Sequence, residues 1–276
     1  MTLEILSPAK LNLNLHIIGQ REDGYHLLES YFQLLNFGDH MGFEPQTSRI
    51  DISPEIPGVT PEENLIFRAA QLLKLTADDP QLGAKISLKK LLPMGGGLGG
   101  GSSNAATTLI ALNALWQLNL SIDELATMGL SLGADVPFFV RGHSAWVEGI
   151  GERITPYPSN CHWYVVLRPR VSVSTAAIFS HPELTRDTPS STVAAVLRQG
   201  GRNDCEPVVR SLYAEIDRTI DWLNKFSPAR LTGTGACVFA AFKSKQDAEA
   251  VFRRRPDNCD GFVAQGINDS PVAQIS

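Results

Sequence analysis

The densest concentration of chemically suggestive residues is Pro93-Met94-Gly95-Gly96-Gly97-Leu98-Gly99-Gly100-Gly101-Ser102-Ser103-Asn104, with six glycines in seven positions. Glycines packed this closely cost conformational entropy on folding, so they make sense where backbone must approach a ligand. The run ends in two serines ahead of an Ala- and Leu-rich stretch that reads as a helix from about Ser103 to Leu118. Backbone N–H groups and the helix dipole there make an anion site, and Ser102 or Ser103 could add a hydroxyl to a phosphate or a metal. It is not a Walker A loop, because no lysine precedes Ser102. Gly95-x-Gly97-x-x-Gly100 fits a dinucleotide fingerprint, but the expected strand and ribose carboxylate some twenty residues on fall in a helical stretch. The protein-kinase set VAIK, HRD and DFG is absent. A second glycine turn, Thr232-Gly233-Thr234-Gly235, sits between two strand-like segments. By themselves Asp135 and Lys10 read as a turn acid and a solvated lysine, Tyr25 and His26 as surface-turn residues, and Phe179 as core. His40, His143, His162 and His181 lack ligand spacing, and the four cysteines form no CxxC pair.

The elements that must position these residues alternate clearly. Leu11, Leu13, Leu15 and Ile17 interleave with Asn12, Asn14 and His16, the period of a strand with one polar face. Lys10 and Asn12 then share a face. Tyr31 to Phe37 reads as another strand, and 44–61 as turns and short strands. Thr60-Pro61-Glu62-Glu63 has the form of a capping box, opening a helix to about Leu75. Lys85 to Leu92 is a strand, and Ser121-Ile122-Asp123-Glu124 opens a helix to about Ser131. Gly133 and Pro137 interrupt helical continuity, and a strand follows at 144–147. After a Gly- and Pro-rich stretch at 149–159, strands at 163–167, 229–232, 237–242 and 261–264 frame helices over 204–226, capped by Asn203, and 244–254. Their order, β-α-β-β-α-β, is that of a ferredoxin-like layer.

Composition bounds the answer. The chain has 276 residues, 43% hydrophobic, with 24 basic and 29 acidic side chains for a net charge of −5. This suffices for two cores, and excludes global disorder and an electrostatic nucleic-acid wrapper. No apolar run reaches membrane-span length, no leader is evident at the start, and scattered thiols fit a reducing cytosol.

Taken jointly, five segments resemble the GHMP kinases (galacto-, homoserine, mevalonate and phosphomevalonate kinases). They are Pro8-Ala9-Lys10-Leu11-Asn12-Leu13-Asn14-Leu15, Asp23-Gly24-Tyr25-His26, the glycine-rich loop, Gly133-Ala134-Asp135-Val136-Pro137-Phe138-Phe139, and Leu231-Thr232-Gly233-Thr234-Gly235-Ala236-Cys237-Val238-Phe239. The resemblance spans about residues 5–272. It implies an α+β fold of two domains, a ribosomal protein S5 domain 2-like ATP-binding half over 1–152 and a ferredoxin-like half over 153–276, with the site between them. It further implies transfer of the ATP γ-phosphoryl to the 2-hydroxyl of a cytidine diphosphate-linked methylerythritol, a step of non-mevalonate isoprenoid synthesis, with Mg²⁺ accompanying ATP. On that resemblance Asp135 and Lys10 are catalytic. Pro93 to Ser103 hold phosphates, and Asn64 and Leu65 lie near adenine. Tyr25 and Phe179 stack on cytosine while His26 bonds its edge, and Asn12 and Thr175 lie near the acceptor. Gly233, Thr234 and Gly235 close the site. No protein metal ligand is expected. The expected setting is a cytoplasmic monomer or homodimer, without nucleic-acid or membrane partners. Two alternatives stay open: a kinase of this family for another small alcohol, and a nucleotide-binding module without catalysis.

Overall fold

The structure is a computed structural model describing residues 3–55 and 58–274. The chain opens with β1 (Leu3–Asn12), β2 (His16–Gln20) and β3 (His26–Thr47), then β4 (Ile50–Ser53), α1 (Leu65–Ala77) and β5 (Leu82–Lys89). There follow α2 (Gly100–Leu115), α3 (Ile122–Leu130), α4 (Val136–Arg141), β6 (Ala145–Gly149) and β7 (Arg153–Pro156). The remainder runs β8 (Trp163–Pro169), α5 (Thr175–Phe179), α6 (Val193–Gln199), α7 (Glu206–Leu212), α8 (Ala214–Asn224), β9 (Ala229–Leu231), β10 (Val238–Phe242), α9 (Lys245–Phe252) and β11 (Cys259–Ile267).

The 22-residue β3 is the spine of the sheet. One edge pairs with β1 and then β2, and the other with β5, β11 and β6, all antiparallel. Beyond β11 the order is β8-β10-β9, antiparallel throughout. Taking β8, β9, β10 and β11 as strands one to four, this is the 4-1-3-2 order of the ferredoxin-like layer read from the sequence. β7 pairs back onto β6, and β11 bonds both β8 and, at Gly266 and Ile267, β3, so the sheet is continuous.

Three apolar layers follow from this arrangement. Helices α1–α4 cover one part of the sheet, with Leu73, Leu109, Leu112 and Phe138 fully buried. Helices α7–α9 cover another, through Val209, Ile216, Ile220 and Ala248. Between them Leu11, Leu35 and Leu98 pack with Tyr164, Phe239 and Ala264, joining the ends of the chain in one core. Burial pushes the Cys205 and Cys237 thiols up to about 12, so both are inert apolar filler. Among the described residues no helix is long and apolar enough to cross a membrane.

Local signals held where they were self-contained. Ser121 forms the complete capping box, its Oγ accepting from Glu124 N while Glu124 Oε2 accepts from Ser121 N at 2.8 Å. Only half of the expected Thr60 box forms: Glu63 Oε2 accepts from Thr60 N at 3.1 Å, but Glu63 N donates to the Thr60 carbonyl and the segment closes only a turn. Asn64 adopts an extended ψ of 111° and takes the cap of α1 itself, so the helix begins four residues later than expected. Helix α2 likewise starts three residues early, at Gly100 behind a left-handed Gly99. The alternation over 11–17 spans a break: β1 ends at Asn12, and Leu15 makes a parallel bridge to Asn203. Residues 44–47 continue β3 rather than turning, and Ile56 and Pro57 lie outside the described residues. Residues 204–226 form two helices, broken at Tyr213 by a ψ of 89°.

The two glycine turns meet backbone to backbone. Ala236 N and Cys237 N donate to Gly95 O and Gly96 O at 3.3 and 3.2 Å, and Thr232 Oγ1 donates to Gly97 O at 3.1 Å. Gly97 has a left-handed φ of 74°, and a Cβ there would stand 2.2 Å from Thr232 O. Gly97→Ala is therefore expected to lose about 2–5 kcal/mol, combining left-handed strain with overpacking. Chemical denaturation checks this; a loss below about 1 kcal/mol would show that the turns can part cheaply.

Candidate active site

Lys10 lies on β1 just after a bulge between Pro8 and Lys10, which swings its side chain inward. Its Nζ donates to Asn12 Oδ1 at 2.6 Å, stands 3.7 Å from Asp135 Oδ2 and lies 4.4 Å over the Phe32 ring. Asn12 is itself fixed, its Nδ2 donating to Ser30 Oγ at 3.0 Å and its backbone N to Thr232 Oγ1 at 3.1 Å. Asn12 thus holds Lys10 in place. Asp135 occupies the cap position of α4, yet its side chain makes no capping bond. With its side chain one-third exposed, the carboxylate is left facing the lysine and the open space beside it. Burial lowers the Lys10 pKa, and the Asp135 charge opposes that shift.

Two cavities flank this pair. One, of ≈ 690 Å³, is walled by Lys10, Asn12, Tyr25, His26, Thr175 and Phe179, with Asp135, Gly233 and Thr234 also on its lining. The other, of ≈ 340 Å³, is walled by Asn64, Leu65 and the run Pro93 to Ser102. Gly97, Gly99 and Ser102 border both, so the glycine loop is the partition across which a group could pass. The N–H groups of Gly100, Gly101 and Ser102 precede the first intrahelical bond, Ser103 N to Gly99 O at 2.8 Å, and form the anion-attracting end of a 16-residue helix. Ser102 faces the cavities, whereas the fully buried Ser103 shares a 2.8 Å hydrogen bond with Ser7 Oγ and turns away from them. The Leu98 side chain is core, and its carbonyl accepts from Lys10 N at 3.0 Å. Gly235 lies behind Gly233 and Thr234, its N donating to Thr232 O.

At the far end of the larger cavity, Tyr25 is exposed on the β2–β3 turn. His26 packs against Phe179 with ring centroids 5.0 Å apart and planes at 30°. Thr175 Oγ1 and Thr234 Oγ1 share a 2.9 Å hydrogen bond, tying α5 to the second glycine turn.

Several residues here escaped the sequence reading. Asp39, fully buried, accepts from Leu91 N, Leu92 N, Lys90 Nζ and Asn104 Nδ2 at 2.6–2.9 Å, clamping the chain on both sides of the glycine loop. Asn104 Oδ1 is left buried without a protein partner, on the lining of the smaller cavity. Phe32 lies under Lys10, and Arg186 reaches His26. These contacts link positions tens to more than a hundred residues apart, so no local spacing announces them. The segment 183–202 is strapped to β2 and β3: Asp204 accepts from Ile17 N and Thr188 Oγ1, and Glu29 from Ser190 Oγ and Ser191 N. Among the described residues no group of three His, Cys, Asp or Glu side chains could hold a metal.

Lys10→Met gives the site a pH signature. The folded pKa lies below the unfolded value of 10.5, so between the two the unfolded chain binds more protons and wild-type stability rises with pH. The variant is expected to melt no lower than wild type at neutral pH, and wild type to gain on it as pH approaches 10.5. Thermal scans across pH check this, and a Tm difference constant with pH would contradict it.

Comparison with known proteins accords with this geometry. Residues 64–143 match the N-terminal domain model of the GHMP kinases and residues 190–261 the C-terminal one. A protein of Haemophilus influenzae named 4-diphosphocytidyl-2-C-methyl-D-erythritol kinase is 54% identical over 272 residues, covering 98% of this chain and 87% of its own length. A crystal structure of 4-(cytidine 5'-diphospho)-2C-methyl-D-erythritol kinase superposes with a TM-score of 0.86 at 31% identity, over 96% of this chain and 99% of that one. The homoserine kinase of Cytophaga hutchinsonii, covering 98% and 95% of the two chains, shares the fold alone, with a TM-score of 0.67 at 16% identity. The chain belongs to the GHMP kinases and, within them, to the 4-diphosphocytidyl-2-C-methyl-D-erythritol kinase family.

Proposed function

We propose that the protein transfers the γ-phosphoryl of ATP to the 2-hydroxyl of 4-diphosphocytidyl-2-C-methyl-D-erythritol. The observation that carries this reading is the Lys10–Asp135 pair, 3.7 Å apart, set where a glycine loop divides a small cavity from a larger one with aromatic walls. ATP occupies the smaller cavity. Its phosphates lie along the loop at the start of α2, and the unpartnered Asn104 Oδ1 is complementary to the amine of adenine. The acceptor occupies the larger cavity, its base among Tyr25, His26 and Phe179 and its polyol toward Lys10. Asp135 accepts the hydroxyl proton as the oxygen–phosphorus bond forms. Lys10 keeps Asp135 ionised and offsets charge gathering on the transferring group. Thr175 and Thr234 border the path of the diphosphate.

Mg²⁺ accompanies ATP in this reading. The hard oxygen donors facing the loop, Ser102 Oγ and the Asp135 carboxylate, suit a cation carried mainly by phosphate and water. Bound there, it would neutralise phosphate charge. The reading places the enzyme in the cytoplasm, acting on small molecules.

ADP release from Mg·ATP, measured with the cytidyl acceptor, mevalonate and homoserine, tests the assignment. Turnover with the cytidyl compound alone is expected. Turnover with mevalonate or homoserine instead would move the acceptor to another small alcohol, and ATP binding without any turnover would favour a non-catalytic module. Asp135→Asn is expected to keep its fold and ATP affinity while kcat falls about 10²–10⁴-fold. Full kcat in that variant would remove Asp135 from the role of base.

A further inference from the structure

Arg186 lies on the strap between α5 and α6 and makes four hydrogen bonds. Its Nε donates to His26 Nε2 at 3.1 Å. Its Nη1 donates to Leu184 O at 3.0 Å, and its Nη2 to Phe179 O and His181 O, each at 2.9 Å. Three of these acceptors are carbonyls: Phe179 O, the last of α5, which has no intrahelical partner, and His181 O and Leu184 O in the turn that follows. The fourth is an imidazole on β3, whose ring packs against that of Phe179. One planar guanidinium therefore binds both the imidazole and the backbone of the residue that it packs against, tying β3 to the end of α5.

The donor side of the His26 bond is unambiguous, because a guanidinium has only N–H groups to offer and stays protonated in proteins. Nε2 must then be the lone-pair nitrogen, and the ring proton of a neutral imidazole resides on Nδ1. Protonating Nε2 would set an N–H against the N–H of Arg186. Desolvation, followed by the Arg186 charge, lowers the His26 pKa, in agreement with that geometry.

We propose that Arg186 is the positioning residue of the acceptor site: it fixes His26 as the neutral Nδ1–H tautomer and locks the Phe179 backbone to the same cation. His26 then presents one ring donor, suited to a hydrogen-bond acceptor on a pyrimidine edge. A freely rotating imidazole would offer a mixture of donor and acceptor forms. Aromatic walls alone accept any base, so an edge group of fixed polarity is what confers selectivity. Arg186 acts through His26 and Phe179, and needs no contact with the acceptor or with ATP. This rests on the acceptor assignment above.

The test uses the full-length protein. In ¹⁵N-histidine spectra of wild type at neutral pH, His26 is expected as the Nδ1–H tautomer, with Nε2 showing the shift of an unprotonated nitrogen. Arg186→Met is expected to give mixed tautomer shifts for His26 and to raise KM for the cytidyl acceptor about tenfold, with kcat and KM for ATP changed by less than about twofold. Arg186→Lys keeps the positive charge and a single donor nitrogen in place of the planar fork, and is expected to recover part of that loss; it also serves should the methionine variant fail to fold. An Nε2–H tautomer in wild type, or variants that keep the wild-type KM for the acceptor, would overturn the proposal. Absence of turnover by wild type with the cytidyl acceptor would instead overturn the acceptor assignment, while the His26 spectrum would still report on the arginine.

Discussion

Everything at the site depends on how closely the Gly95–Gly101 backbone approaches the Thr232–Cys237 turn. Backbone can meet backbone there only because Gly97 and Gly233 carry no side chains: a Cβ on Gly233 would lie 3.1 Å from Gly97 Cα, and one on Gly97 closer still to Thr232 O. Thr232 completes the contact by accepting from Asn12 N and donating to Gly97 O. Asn12 holds Lys10, and Lys10 faces Asp135. A chain of short polar contacts thus runs from the turn before β10 to the proposed base. None of its members could shift by an ångström without disturbing the next.

The glycine loop combines freedom with fixed ends. Its φ angles at Gly95, Gly97 and Gly99 are all left-handed, a conformation available at low cost only to glycine. Precision comes from outside the loop. Asp39 binds the two amides before it and the asparagine after it, while Leu98 anchors its centre in the shared core. Buried carboxylates are costly unless fully paired, and Asp39 accepts four donors. The aromatic end of the acceptor cavity follows the same logic with the opposite charge, Arg186 gathering three carbonyls and an imidazole.

Much of this was legible in the sequence for one reason: the signals were local. The glycine run, the Ser121 box and the alternation placing Lys10 and Asn12 on one face each depend on neighbours within a few residues. The β-α-β-β-α-β order was visible for the same reason, and it carried the 4-1-3-2 layer with it. Local signals also misled where two competed. Thr60 and Asn64 can both cap a helix, and only the folded chain shows that Asn64 does. Ser102 and Ser103 are identical in sequence terms, yet helical geometry turns one toward the cavities and buries the other against Ser7. Asp39 and Arg186 gave no local sign. Each looks like an ordinary surface charge until residues 50–160 positions away are brought beside it.

The place of β11 bears on how the molecule is made. It is the last strand among the described residues, yet it lies inside the sheet, bonded to β3 on one side and β8 on the other. During synthesis, Leu34 and Leu35 therefore lack their partners on that edge until residues 266 and 267 leave the ribosome. An unpaired, apolar strand edge is a template for association with other chains. The nascent protein carries that liability from the emergence of β3 to that of β11, and a chain released between the two would retain it. Inserting β11 closes the sheet only after more than 260 residues have been made, so two strands distant in sequence must wait for a third to join them.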